Sequence, residues 1–397
     1  MDYLKLFGTD AEYQAFKQSD KFIKPNVSHC VSENEVHYNP HTFADEYLTF
    51  VALENTTFTF TPRNNNVVSY SIDNGNSWTQ GNTVEVNAGD KVLWKGEMTP
   101  IFDDDYEIYG VGAFNSTGRF DVYGNVMSLL YGDNFKGQTG LTGKDGAFAN
   151  LFSYDEVECK LVNAKNLSLP AITLAQKCYL DMFSKCVYLV TAPELPATIL
   201  ASNCYTYMFG GCTSLTTAPE LPATTLAGSC YQGMFAGCTS LTTAPELPAT
   251  TLANNCYFSM FYNCASLTKA PELPAETLVE SCYEEMFFNC TSLVNVPDLA
   301  ATTLAQYCCL RMFYNCTSLV NAPVLPATTL AQACYNYMFG NCSNLKYIKC
   351  LATSNPDYAQ NWVNGVAASG TFIKAASMSG WTTGVNGIPD GWTVQDA

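Results

Sequence analysis

The chain has three histidines, His29, His37 and His41, and all stand within one short stretch that also holds Cys30, Glu33 and Glu35. Imidazole and thiolate are the usual ligands of zinc, so this clustering raises a metal site first. The spacing matches no zinc finger, and Pro40 prevents His37 and His41 from sharing one helical face. The stretch therefore reads as the polar part of an arm, and no metal is assigned to it. Asp103, Asp104 and Asp105 form a second oxygen-rich run. It lacks the alternating ligands of a calcium loop and reads as a solvated acidic turn. No nucleophile elbow, phosphate loop, HExxH or dinucleotide fingerprint occurs. With every histidine in the arm, a Ser/His/Asp triad elsewhere is excluded and no cofactor is implied.

Two further sets of residues recur at a fixed interval. Glu194, Glu220, Glu246, Glu272 and Asp298 are each 26 residues apart. If the chain coils with that period, they form a column of like charges about 5 Å apart, which must face water or meet cations. Such a row blunts an apolar edge, or accepts sugar hydroxyls or Ca²⁺. The other set is aromatic and apolar: Phe258, Glu284 and Leu310 at one position, Tyr262, Phe288 and Tyr314 at another. Aromatic side chains grouped on one outer face mark a contact surface for a glycan, a protein or a second copy.

The element that positions both sets is a repeat. Between Leu169 and Cys350 seven units approximate LPATTLAxxCYxxMFxxCTSLxxAPE without a slip in register. A fixed period of this length is the mark of a solenoid. Within Leu221 to Glu246, apolar residues fall at Leu226, Cys230, Tyr231, Met234, Phe235 and Cys238. That spacing predicts about three turns of helix. Thr224 or Thr225 would cap its start and Gly237 its end, where other units carry Gly211, Asn263, Asn289, Asn315 and Asn341, with Lys185 as the exception. Pro245 and Pro248 then force an extended segment, one per coil, that pairs with its neighbours. The expected fold is a mixed α/β solenoid of seven 26-residue coils, helices behind and strands in front. Two cysteine columns, from Cys178 to Cys334 and from Cys186 to Cys342, lie on the apolar stripe and read as buried free thiols.

In this pattern the chain resembles the BspA-like branch of the leucine-rich repeats, in which a Phe followed by xxCxxL closes each helix and an LP-containing strand follows. Met182, Met208, Met234, Met260, Met286, Met312 and Met338 stand where Ala is common. The resemblance implies a surface or binding protein without catalysis, of a kind found in Bacteroides-group bacteria and their phages.

Around the repeats, residues 1–45 are expected to be a largely irregular arm. Residues 46–98 alternate with period two between turn signals and predict a small antiparallel, Ig-like β-sandwich. Residues 99–168 lead into the repeat, with Ala147 to Ala164 as its cap, and residues 351–397 are expected to close it with hairpins. The net charge is −17 with no basic stripe, which argues against nucleic acid as a partner. No apolar run is long enough to insert in a membrane and no export signal is seen at the start. The expected function is a non-catalytic phage virion protein, made in the host cytoplasm, that presents the rod to a host surface glycan or protein. Its arm would dock it to other virion proteins, and a homo-oligomer fits as well. The alternative is a bacterial cell-surface adhesin, and a polysaccharide-degrading enzyme comes last because the acids sit in register rather than at one unique place.

Overall fold

The structure, a computed structural model, describes residues 43–105, 107–153 and 158–397, together with the backbone of 27–32 and 35–40. The metal-site reading of His29, Cys30, His37 and His41 therefore lies outside the described side chains. Their backbone is not irregular where it is described: β1 (Val27–Ser32) and β2 (Glu35–Pro40) pair antiparallel, with Cys30 opposite His37.

Period-two alternation places β3 (Leu48–Ala52), β4 (Thr56–Pro62), β5 (Val68–Ser71), β6 (Thr79–Gln80), β7 (Thr83–Val86) and β8 (Lys91–Gly96), with Asn74 and Gly75 supplying the positive φ of the turn between β5 and β6. Beyond residue 98 come β9 (Ile101–Asp103), β10 (Ile108–Gly110), β11 (Gly112–Ser116) and β12 (Phe120–Asn125), then the helix Ser128–Tyr131 and β13 (Leu161–Ser168). One sheet runs β11-β4-β7, and the other β13-β12-β3-β8-β5-β6. Phe50 of the larger sheet meets Phe58 and Phe114 of the smaller at 5.2 and 4.8 Å, so the two layers share one aromatic core. The sandwich thus draws in strands well past residue 98.

The repeats hold no helix, and the mixed α/β expectation is corrected on this point: Ser128–Tyr131 is the only α-helix among the described residues, and it precedes them. Each predicted helix is instead a run of tight turns with a strict period of four. Lys177, Asp181 and Lys185 all have positive φ, as do Ser229, Gly233 and Gly237 and their equivalents in the other coils. Between these left-handed residues the chain places two side chains inward and one outward. The N–H groups alternate in their partners. Leu180, Met182 and Ser184 bond back three residues within their own coil. Tyr179, Asp181 and Phe183 donate instead to Cys204, Thr206 and Met208 of the next coil, at 2.9–3.0 Å. A helix would spend every N–H locally, whereas this scheme ties each coil to its neighbour and satisfies the N–H groups of the turns. The residues predicted to end helices are in the left-handed region, Lys185 included, but as one of three such residues per coil.

Stacking puts like on like. Phe152, Phe183, Phe209, Phe235 and the phenylalanines that follow as far as Phe339 form a column with rings 5.3–5.7 Å apart, and Tyr179 through Tyr283 form another at 5.6–6.0 Å. Cys309 interrupts the tyrosines. Both cysteine columns are buried and free. The Cys212, Cys238 and Cys264 thiols each donate to a phenylalanine carbonyl of the preceding coil, at 3.1–3.2 Å. The extended segments pair through single-residue parallel bridges, such as Thr191 with Thr217 and Thr225 with Thr251, rather than through full strands.

Both ends continue this scheme. Phe148 and Phe152 donate to Cys178 and Met182, and their rings cover Tyr179 and Phe183. β13 pairs parallel with β12 and bridges to Thr191, so the larger sheet runs on into the repeats. Lys177 joins Asp104 and lies 2.6 Å from the Tyr109 hydroxyl, so part of the expected solvated acidic turn is an ion pair clamping the β9–β10 hairpin to the repeats. At the far end β14 (Tyr347–Cys350), β15 (Thr371–Lys374) and β16 (Thr393–Asp396) are parallel, not hairpins, and Trp362 and Trp381 extend the ring stack.

Candidate functional site

Because two side chains of each four-residue turn face inward, the remaining positions build the outer face. Tyr262, Phe288 and Tyr314 occupy one of them in successive coils, and their rings stack at 4.7 and 4.9 Å, within 12° of parallel. Each ring is half-buried by its neighbours. Gly340 takes the next place, where a side chain would meet the Tyr314 ring at 2.8 Å, so that ring lies over the glycine. The sequence places these residues on one face, and there Phe288 has both of its ring faces covered, by Tyr262 and by Tyr314. The ladder offers ring edges to a partner, and the face-on stacking by which a sugar binds an aromatic ring is closed at Phe288.

Beside the rings runs a row of residues that the sequence predicts only as helix caps. Asn289 donates its amide to Asn263 at 2.6 Å, Asn315 donates to Asn289, and Asn341 donates to the Tyr314 hydroxyl at 2.9 Å. Each amide keeps donor or acceptor capacity for a partner. On the other side Arg311 pairs with Glu285 at 3.1 Å and lies 5.4 Å from the Tyr337 ring centre. The period of four was the signal that would have placed these columns. Phe258, Glu284 and Leu310 form the neighbouring outward position and are also half-buried. Burial pushes the Glu284 carboxyl up.

The acidic column lies elsewhere, on the extended segments. Glu194, Glu220, Glu246, Glu272 and Asp298 are all exposed, and none has a salt bridge among the described residues. Asp298 ends the row by accepting the Val324 N–H at 2.8 Å. The structure does not bring these acids to the aromatic ladder, and no group of His, Cys, Asp and Glu among the described residues is placed to hold a metal.

A family model for BspA-type leucine-rich repeat regions matches residues 159–292 and 257–356 and counts six copies, over the stretch where seven units were read. The chain is a BspA-type leucine-rich repeat protein. No curated protein and no solved structure matches it. For this BspA-type protein the family model therefore supports the repeat identity, and the outer-face geometry is the guide to what the repeats do.

Proposed function

We propose that this BspA-type protein is a non-catalytic binding protein and that its partner is another protein, held at the Tyr262–Phe288–Tyr314 ladder. The observation that carries this reading is the ladder itself: aromatic edges flanked by an amide row and by the Glu285–Arg311 pair, the mixture of apolar and hydrogen-bonding groups that protein interfaces favour. The acids in register give no unique pair for hydrolysis. The test places a photo-crosslinking phenylalanine analogue at Tyr262 or Tyr314, with Thr224 as a control, and identifies the products by mass spectrometry. Protein adducts specific to the ladder support the reading, and adducts of a second copy identify it as a self-association face. Equal labelling at Thr224 sinks it. Carriage on a phage particle is a separate proposal, ended by finding the protein on bacterial cells and absent from purified virions.

A further inference from the structure

The repeat consensus breaks on the extended segments as well as on the outer face. Thr216, Thr242 and Thr268 give way in the next two coils to Val294 and Val320, which are 47% and 41% exposed, while Val190 holds the same place in the first coil. Two more positions follow suit: Val296 stands where the flanking coils have Ala270 and Ala322, and Val324 replaces the acid of the column. Val294, Val296 and Val324 line a groove of about 460 Å³ together with Asn295, Asp298, Asn321 and Tyr347. An exposed valine on a half-buried edge is ordinary, but adjacent apolar departures from a polar repeat, gathered around one concavity, mark a contact site.

The charge around the groove specifies the occupant. On one side it opens onto Asp298, Glu272, Glu246 and Glu220, exposed acids one coil apart and without a salt bridge among the described residues. On the other side the valine position becomes Lys346, also exposed. A partner that lies along the rod therefore meets carboxylates, then a hollow lined by valines and asparagines, then an ammonium group. We infer that this groove docks an extended peptide segment of a partner protein in which an apolar side chain fills the hollow and basic residues follow along the acidic column. The hollow supplies the anchor, and the acids steer and orient the segment. This surface is separate from the aromatic ladder and does not depend on the function proposed for it.

Fluorescence anisotropy with the labelled synthetic peptide LVGKGKGK and the full chain tests the inference. Saturable binding is expected that weakens as salt rises. Val294→Thr with Val296→Ala restores the residues that the repeat itself uses there, so folding is kept, and affinity should fall about tenfold. Glu246→Gln with Glu272→Gln should cost a similar factor, and a probe with glutamine for lysine should bind as weakly. If the valine variant binds like the parent, the attraction is charge alone and the groove is not a site. Absence of saturable binding by the parent at up to about 1 mM probe overturns the inference as well.

Discussion

Tyr231 shows how far a repeated residue is selected for packing and not for hydrogen bonding. Its ring is buried between Tyr205 and Tyr257 at 5.8 Å from each, while its hydroxyl is buried without a partner, as are those of Tyr179 and Tyr335. An unsatisfied buried hydroxyl costs about 1–3 kcal/mol. Tyr231→Phe keeps the stack and removes that cost, so it should raise stability by about 1 kcal/mol in urea unfolding; a loss of stability would show that the hydroxyl has a partner. Asp181 carries a cost of another kind. Burial first, opposed by Ser184 and Lys185, pushes its carboxyl up to about 6. A carboxyl whose pKa is higher in the folded than in the unfolded chain binds the extra proton on folding. Its contribution therefore falls as pH rises from about 4 to about 6, by up to about 3 kcal/mol. Asp181→Asn should flatten that part of the stability profile and stabilise the protein at neutral pH. Denaturant titrations across this range decide it, and an unchanged slope would contradict the burial argument.

At the scale of the coil, the four-residue turn depends on its left-handed corners. Gly233 has φ 58°, and a side chain there would meet the Tyr207 ring of the preceding coil at 2.1 Å. Gly233→Ala should destabilise by about 2–4 kcal/mol, from backbone strain and from the clash together. Adding Tyr207→Ser should recover the clash part and leave the strain, about 1 kcal/mol. A double variant as unstable as the single one would mean that the two coils do not touch there. Apolar pairs recurring every four residues drift about 40° per turn from a helix of period 3.6, which over three turns still falls within a broad apolar stripe. Local pattern could not separate the two, and Gly or Asn at one corner fits a helix end as well as a turn. The difference lies in where alternate N–H groups go. That depends on a neighbour 25 residues away, which no short window contains.

Across the whole molecule one buried apolar cluster extends from Leu48 and Phe50 of the sandwich to Trp362 and Trp392 at the far end. The first repeat is covered by Phe148 and Phe152, which belong to the region leading from the sandwich. A fragment beginning at residue 159 should therefore expose Tyr179 and Phe183 and aggregate, while one beginning at residue 43 stays soluble and melts like the full chain. Size-exclusion chromatography of both decides whether the repeats stand alone, and a monodisperse short fragment would show that they do. Their cysteines take no part in bridging: all described thiols are buried and free, with burial pushing Cys238 and Cys342 up to about 12.

By itself the sequence determined the period, the buried columns, the left-handed corner at Gly237 and Asn263, the strands of the sandwich and the gathering of Tyr262, Phe288 and Tyr314 on one face. Each follows from residue type and interval, which stacking copies faithfully from coil to coil. Only the tertiary structure decided that the coils are built of turns, that the ring of Phe288 is stacked on both faces by Tyr262 and Tyr314, and that Val294 and Val296 border a groove at the end of the acidic column. Those depend on hydrogen bonds and contacts made between coils, and a repeated sequence states what stacks without stating how its backbone is shared.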